Sequence, residues 1–271
     1  MEDNVKNVLL LVHDDPGEEA RLRAALDLTR ALSGHLKCLD VVQLPYLIGT
    51  DYRLADAELV LLDDARKREA ANRQRTEARL EKEDVNWDWA DTTGDITKVI
   101  EAESAPADII ILNTAFADHA PPDMRAIVSD VVMRVRKPIL AMPEMARGLD
   151  TKGHVLVAWD GTAPVYETLR ATIPLLALAQ GVTLLEIGEI DGLPAEDAAA
   201  YLSRHDIHAR IDRTIAQEWT VADALLQACR DRQPAYCLMG AYGHARLRER
   251  LFGGVTRRML GESPVPIILG H

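Results

Sequence analysis

An internal duplication is the feature that most constrains how this chain can fold. The run VLLLVHDD, from Val8, resembles VLVAWDGT, from Val155, and both are short apolar stretches that lead to an aspartate. A helical pattern follows each run, and both patterns contain the tripeptide LRA, at Leu22–Ala24 and at Leu169–Ala171, an offset of 147 residues. Repetition on this scale predicts two copies of one structural unit.

The ends of the two halves repeat as well, at a shorter offset. ADIIILNTA, from Ala107, matches AYCLMGAY, from Ala235, and IVSDVVMRVRKPILAMP matches GVTRRMLGESPVPIILG, at an offset of about 127 residues. The change of offset places about 20 additional residues in the middle of the first half, within the charged stretch 51–84. That stretch has a helical pattern, and its counterpart in the second half is the shorter stretch 194–206.

The duplication predicts two domains of one fold. We expect the first over residues 1–146 and the second over residues 152–271, with the join near 145–154. In each half, short runs rich in Val, Ile and Leu alternate with helical patterns, which is typical of a parallel sheet buried on both faces. The expected fold class is α/β, with two repeated open five-stranded sheets that are doubly wound and Rossmann-like. The predicted strands are 7–13, 36–43, 85–91, 108–113 and 139–142, then 155–160, 182–188, 208–214, 236–240 and 266–269.

Charge and composition exclude several classes of function. The formal net charge is −12, which argues against nucleic acid or an anionic membrane as a partner. No apolar run is long enough for a transmembrane helix, and acids precede the first apolar run, unlike in a secretory signal. The three cysteines show no close spacing, so we expect reduced thiols in a cytoplasmic protein. Metal-ligating residues do not cluster along the sequence, and His13 is expected on the surface or in a loop.

Glycines after the fourth strand of the second half predict an anion site. Gly240 marks the end of that strand, Gly243 follows it, and Gly253 and Gly254 precede a helical pattern that contains Thr256. Glycines at a strand-to-helix junction let backbone N–H groups approach a phosphate, and the helix N-terminus adds further N–H donors. The segment is also locally basic, through Arg246, Arg248, Arg250, Arg257 and Arg258. Glycines that serve only tight turns are an equally good reading of the same pattern.

The spacing of these glycines resembles a family signature. Gly240-Ala-Tyr-Gly243, nine residues and then Gly253 is similar to the Gly-2x-Gly-9x-Gly-(Ser/Thr) signature of universal stress proteins, in which it binds ATP. The sequence WDGT, which contains Asp160, resembles the family's VDGS element, and the terminal PVPIIL resembles its last strand. The likeness covers both halves, so the chain resembles a tandem universal stress protein.

The resemblance implies a set of nucleotide-binding residues in the second half. Asp160 and the backbone near Ile187 would lie beside the adenine and ribose. The ribose and phosphates would be bound by Gly240, Gly243, Gly253, Gly254, Val255 and Thr256. The implied cofactor is ATP, ADP or AMP, with Mg²⁺ accompanying the nucleotide. Gly254 stands where the family has Ser or Thr, which removes a hydroxyl from the phosphates and is expected to weaken binding.

The first half lacks the glycines. The four corresponding positions are Asn113, Phe116, Ala126 and Ile127, so side chains stand where backbone would contact phosphate. We therefore expect a degenerate copy that binds no nucleotide.

Three functions remain open from the sequence. The first is a non-catalytic stress-response or regulatory protein that binds an adenine nucleotide. The second is an ATP-using phosphotransferase, which would need metal-holding carboxylates and a base beside the phosphates. Only Glu249 is available for that role between residues 240 and 260, which favours the binding protein. The third is a scaffold with both sites lost, a reading that Gly254 keeps open.

The last strand of each half predicts how the halves meet. In single-domain members of the family this strand pairs two protomers in antiparallel fashion, and an exposed apolar edge strand is a liability unless it is paired. A chain with both copies can pair PILAM with PVPIIL internally. We expect an internal pseudo-dimer, with the long charged helix as a surface for any further homodimer and no protein partner identifiable from the sequence.

Overall fold

The computed structural model describes residues 5–43, 52–114, 122–190, 192–215, 220–241 and 254–271, without the side chains of 52–61. In the first half, strands and helices alternate as β1 Asn7–Val12, α1 Glu18–Ala31, β2 His35–Val42, α2 Tyr52–Leu80, β3 Asn86–Thr93, α3 Ile96–Glu103, β4 Ile109–Asn113, α4 Met124–Val135 and β5 Ile139–Met142. The second half continues with β6 His154–Ala158, α5 Ala163–Ala171, α6 Ile173–Leu176, β7 Gly181–Ile187, α7 Ala195–Ser203, β8 Ala209–Thr214, α8 Val221–Arg232, β9 Tyr236–Gly240, α9 Gly254–Glu262 and β10 Ile267–Gly270.

The ten strands form one sheet whose order reflects the duplication. The order is β3-β2-β1-β4-β5-β10-β9-β6-β7-β8, so each half contributes five strands in the same relative arrangement. All neighbours within a half are parallel, and only β5 and β10 are antiparallel. The predicted fold class and the predicted internal pseudo-dimer are both confirmed.

Helices cover both faces of this sheet. One apolar cluster packs β-strand residues such as Val8 and Val155 against α1, the end of α2, α5 and α7. The other packs residues such as Leu9 and Leu156 against α3, α4, α8 and α9. Strands buried on both sides explain the near-continuous apolar runs in the sequence. Within the described residues, no helix is both long and apolar enough to cross a membrane.

Two local features differ from, or refine, the sequence prediction. The helical pattern after β6 is divided at Thr172 into α5 and the short α6, since Pro174 has no N–H to continue the helical hydrogen bonds. The charged stretch of the first half does form one long helix, the 29-residue α2.

The three cysteines are buried free thiols, as predicted.

Candidate functional site

The order of strands in the second half reverses between β6 and β9. The chain runs outward from β6 to β7 and β8, then returns to place β9 on the other side of β6. In open α/β sheets, ligands bind at such a switch point, beyond the carboxyl ends of the strands. Asp160 follows β6, Ile187 ends β7 and Gly240 ends β9, so three of the predicted residues lie at this one edge.

The Asp160 side chain is held by the residue that precedes α5. Its Oδ1 accepts hydrogen bonds from the backbone N–H of Thr162, at 3.0 Å, and from the Thr162 hydroxyl, at 2.7 Å. Both bonds use the same oxygen, and no described residue donates to Oδ2. The carboxylate is therefore fixed in orientation while one of its oxygens remains available as an acceptor.

The backbone N–H and C=O of Ile187 point toward the β6 side of β7, at a level where β6 has already ended. The carbonyl of Leu185 accepts from Trp159 N–H on the β6 side, whereas Gly188 N–H donates to Thr214 on the β8 side. Backbone groups alternate along a strand, so Ile187 faces the same side as Leu185. After Trp159 the chain turns away from the direction of β6. The edge of Ile187 that points toward β6 therefore lies beyond the end of that strand.

Gly240 is required by packing as well as by its position at the switch point. A Cβ on this residue would lie 2.6 Å from the backbone nitrogen of Val165 in the first turn of α5. Real Cβ atoms do not approach backbone this closely, so only glycine lets β9 end against α5. The glycine thus has a structural reason that is independent of any ligand.

The N-terminus of α9 contains three of the predicted phosphate-binding residues. A Cβ built on Gly254 meets no described atom within 4 Å, and Val255 is partly buried. Thr256 is only 4% exposed and shares the packed face of α9 with Met259 and Leu260, so the first-turn N–H groups are the more accessible donors here. Gly243 and Gly253 lie outside the described residues.

Arg258 anchors α9 rather than extending toward a ligand. Its guanidinium binds Asp223 of α8 at 2.6 Å and Glu262 of α9 at 3.0 Å. Asp223 also forms a capping box with Thr220 at the start of α8. The positive charge that the sequence assigned to this region is therefore partly neutralised, while Arg246, Arg248 and Arg250 lie outside the described residues.

Sequence comparison gives one curated relative and no matching family model. The relative is a universal stress protein from Synechocystis, 24% identical over 186 residues, which are 65% of this chain and 62% of the relative. The match thus spans less than two thirds of the relative's length.

Structural comparison covers the chain from end to end. A universal stress protein from Archaeoglobus fulgidus matches 99% of this chain and 97% of its own, with a TM-score of 0.74 and 15% identity. This chain has the fold of a tandem universal stress protein. A putative universal stress protein from Pseudomonas aeruginosa also matches 99% of this chain and 94% of its own, with a TM-score of 0.60 and 13% identity.

The universal stress protein fold of the first half differs at the positions of the second-half site. Asn113 ends β4 as Gly240 ends β9, and it is a buried side chain, 2% exposed. Ala126 and Ile127 lie within α4, where the second half begins α9. Phe116 lies outside the described residues.

A buried polar cluster occupies the corresponding edge of the first half. His13, immediately after β1, Asp40 in β2 and Glu69 in α2 bring their ligand atoms within 4.8 Å of one another. His13 is 7% exposed and Asp40 is 3% exposed, so His13 lies in a loop, one of the two predicted locations, but is buried rather than on the surface. Sequence spacing could not reveal this cluster because its members lie 27 and 29 residues apart and meet only through the fold.

Burial dominates the ionisation of these three groups. Desolvation lowers the pKa of His13 to about 4, with the nearby Arg21 acting in the same direction. It raises the pKa of Asp40 to about 7, and Glu69 adds to the effect. It also raises the pKa of Glu69 to about 7, with Asp14 and Glu18 contributing. The site therefore combines a neutral imidazole with two carboxyl groups that are costly to ionise there.

Proposed function

We propose that this protein is a non-catalytic stress-response or regulatory protein that binds an adenine nucleotide, ATP, ADP or AMP, in its second half. The observation that carries the proposal is the convergence of Asp160, the backbone of Ile187 and Gly240 at the switch point of β6, β7 and β9. The resemblance of the glycine spacing to the universal stress protein signature supports the same assignment.

The two ends of this edge suit the two ends of a nucleotide. A fixed carboxylate whose Oδ2 has no donor among the described residues, next to the edge of Ile187 that lies beyond the end of β6, suits the hydroxyls of a ribose and the polar edge of an adenine. The first turn of α9 offers N–H donors and the positive end of a helix dipole to phosphates. Bound nucleotide would be oriented with adenine near β7 and phosphates near α9.

The alternative of a phosphotransferase finds less support in this half. Two carboxylates that contact α9, Asp223 of α8 and Glu262 at the end of α9, are both bound to Arg258. Phosphoryl transfer needs carboxylates that hold a metal ion and a base that meets the nucleophile. A scaffold with both sites lost remains the second candidate, since Gly254 removes the hydroxyl of the signature.

Calorimetric titration with ATP, ADP and AMP, with and without Mg²⁺, tests the proposal directly. We expect at most one nucleotide per chain, with micromolar or weaker affinity as an order of magnitude. Gly243→Val should abolish binding, because a branched side chain would obstruct the phosphates. Two nucleotides per chain at saturation, or none at millimolar concentration, would contradict it.

A matched pair of variants tests the role of Asp160. Asp160→Asn keeps the oxygen that accepts from Thr162 but removes the charge, and it should weaken ATP binding by about tenfold, as expected for a hydrogen bond to a charged acceptor. Asp14→Asn makes the same change in the loop after β1 and should leave ATP binding unchanged.

Steady hydrolysis of ATP would instead favour the enzyme alternative. We expect little or no turnover by the purified protein. Multiple turnovers that are lost in Gly243→Val, and are absent from a mock preparation, would overturn that expectation.

A further inference from the structure

Because the fold is duplicated, the polar cluster of the first half can be compared with the equivalent positions of the second half. In the paired registers of the two half-sheets, Asp40 of β2 corresponds to Glu186 of β7. Their neighbours on the outer strands also correspond, Asp91 beside Asp40 and Arg213 beside Glu186. Both halves therefore place a buried carboxylate at one position, but the neighbouring position on the outer strand holds a cation in the second half and an acid in the first.

The carboxylate of the second half is fully satisfied. Glu186 Oε1 accepts from the backbone N–H of Ala195, at 2.9 Å, where α7 begins. Its Oε2 pairs with Arg213, which also binds Glu196. A buried charge is tolerated when it is paired and hydrogen-bonded in this way.

The carboxylate of the first half faces acids instead. Asp40 is 3% exposed, and its Oδ1 has no hydrogen-bond partner among the described residues. Oε2 of Glu69 is likewise buried without a described partner. Arg73, which acts electrostatically on Asp40, is ion-paired with Glu77, at 2.8 Å, and with Asp91. Two buried oxygen acceptors are thus left without a hydrogen-bond donor or a direct ion pair among the described residues.

The third residue of the cluster, His13, also differs from its counterpart in the second half. The offset of 147 between β1 and β6 aligns His13 with Asp160. The second half has a carboxylate there that is bound to Thr162, whereas the first half has the imidazole of His13. A neutral imidazole is a common ligand for divalent transition metals.

We infer that His13, Asp40 and Glu69 form a binding site for a divalent transition-metal cation, of which Zn²⁺ is the probe we choose. One imidazole nitrogen and two carboxylate oxygens are a set of protein ligands that suits such a cation, with a remaining position for water. The cation supplies the positive charge that Arg213 supplies in the other half.

The observed spacing is compatible with one metal ion after a small adjustment. Zinc–ligand bonds of about 2.0–2.2 Å in tetrahedral geometry place the ligand atoms of one ion about 3.3–3.6 Å apart. The ligand atoms of the cluster lie within 4.8 Å of one another, so side-chain movements of about 1 Å would bring them around one ion. Glu69 is only partly buried, which gives the cation an approach from solvent.

Metal binding to the full-length, chelator-treated protein tests the inference. Equilibrium dialysis against Zn²⁺ should show one tight site per chain, and Mg²⁺ should bind at least tenfold more weakly because it prefers oxygen ligands. Asp40→Asn, Glu69→Gln and His13→Gln should each reduce Zn²⁺ affinity at least tenfold. Glu77→Gln makes the same change on α2 at a carboxylate paired with Arg73, and it should leave Zn²⁺ affinity unchanged.

Thermal unfolding separates ligation from a general loss of structure. Asp40→Asn should raise the melting temperature of the metal-free protein, since it removes a buried carboxyl group that lies beside other acids, and it should abolish the further rise that Zn²⁺ causes in the unaltered protein. Zinc affinity that is unchanged in all three ligand variants, or Mg²⁺ binding as tight as Zn²⁺ binding, would overturn the inference. The site is independent of nucleotide, so the Zn²⁺ measurements are made without it.

Discussion

Leu140 of β5 lies opposite Ile268 of β10, at the centre of the antiparallel pair that joins the two halves. The flanking pairs are Ile139 with Leu269 and Ala141 with Ile267, so the register is symmetric about this pair. All the residues of these pairs are fully buried. Each half therefore closes an apolar edge strand of the other, so that neither strand is left with an exposed edge.

Separating the halves should expose that edge. The second half alone, residues 152–271, should self-associate or aggregate, because Ile268 and its neighbours lose their partner strand. Sedimentation velocity measures the outcome, and mixing with residues 1–146 should restore a soluble one-to-one complex. A well-behaved monomeric second half would show that the pairing is not needed to protect the edge.

Restoring the signature hydroxyl should strengthen nucleotide binding. Gly254 is the first residue of α9, and a Cβ there meets no described atom, so Gly254→Ser fits without strain. A hydroxyl donated to a phosphate should tighten ATP binding by about tenfold, as measured by calorimetry. Gly254→Ala adds the same carbon without the hydroxyl and serves as the control; equal affinities of the two variants would exclude a phosphate contact at this position.

Gly240→Ala should destabilise the protein whether or not nucleotide is present. The added methyl would lie 2.6 Å from the backbone nitrogen of Val165, and overpacking of this kind costs about 1–3 kcal/mol. Urea unfolding without nucleotide measures the cost, and Gly254→Ala, with open space around its Cβ, should show none. Unchanged stability in Gly240→Ala would mean that β9 and α5 are not so closely packed.

The free energy of unfolding of the second half should depend on pH because of Asp223. Hydrogen bonds from Thr220 and then from Arg258 lower the pKa of Asp223 to about 2, below its ordinary value of 3.8. Since the pKa is lower in the folded state, the carboxylate stabilises the fold above about pH 5, and this contribution is lost as the pH falls toward about 2. The destabilisation caused by Asp223→Asn should therefore be constant from neutral pH to about pH 5 and shrink below it, as followed by thermal unfolding.

A control on the same helix tests that pH dependence. Asp231 accepts a hydrogen bond from Gln227 rather than from a cation. Asp231→Asn removes a charge from the same helix without changing the capping box or the Arg258 ion pair, and its melting temperature is compared over the same pH range. A matching variation in both variants would attribute the effect to overall charge instead of to the capping box and Arg258.

Several features of the candidate nucleotide site could be read from the sequence because they are local. Asp160 follows an apolar run, and Gly240 ends another, so each could be placed at a strand's carboxyl end without knowing the fold. The change of offset between the repeats also located α2 before its structure was known. Patterns of this kind survive because strand and helix periodicity depend on near neighbours along the chain.

What surrounds these residues depended on contacts between distant segments. Arg258 contributes to a basic segment in the sequence, yet α8 brings Asp223 within 2.6 Å and neutralises it. The sequence indicates that Gly240 binds a ligand, but a glycine is also needed there because α5 packs against its backbone. Neither contact leaves a signal in the sequence, because each joins residues that are far apart along the chain.

The sequence by itself determined the duplication, the α/β class and the strands, since repeats and apolar periodicity depend on the order of residues along the chain, and the family resemblance implied the pairing of the two halves. Only the tertiary structure decided which charges are neutralised. It gave Glu186 an arginine and Asp40 a second carboxylate and an imidazole, although both occupy the same position in the duplicated fold. Charge balance depends on which side chains meet in space, and packing determines that independently of sequence separation.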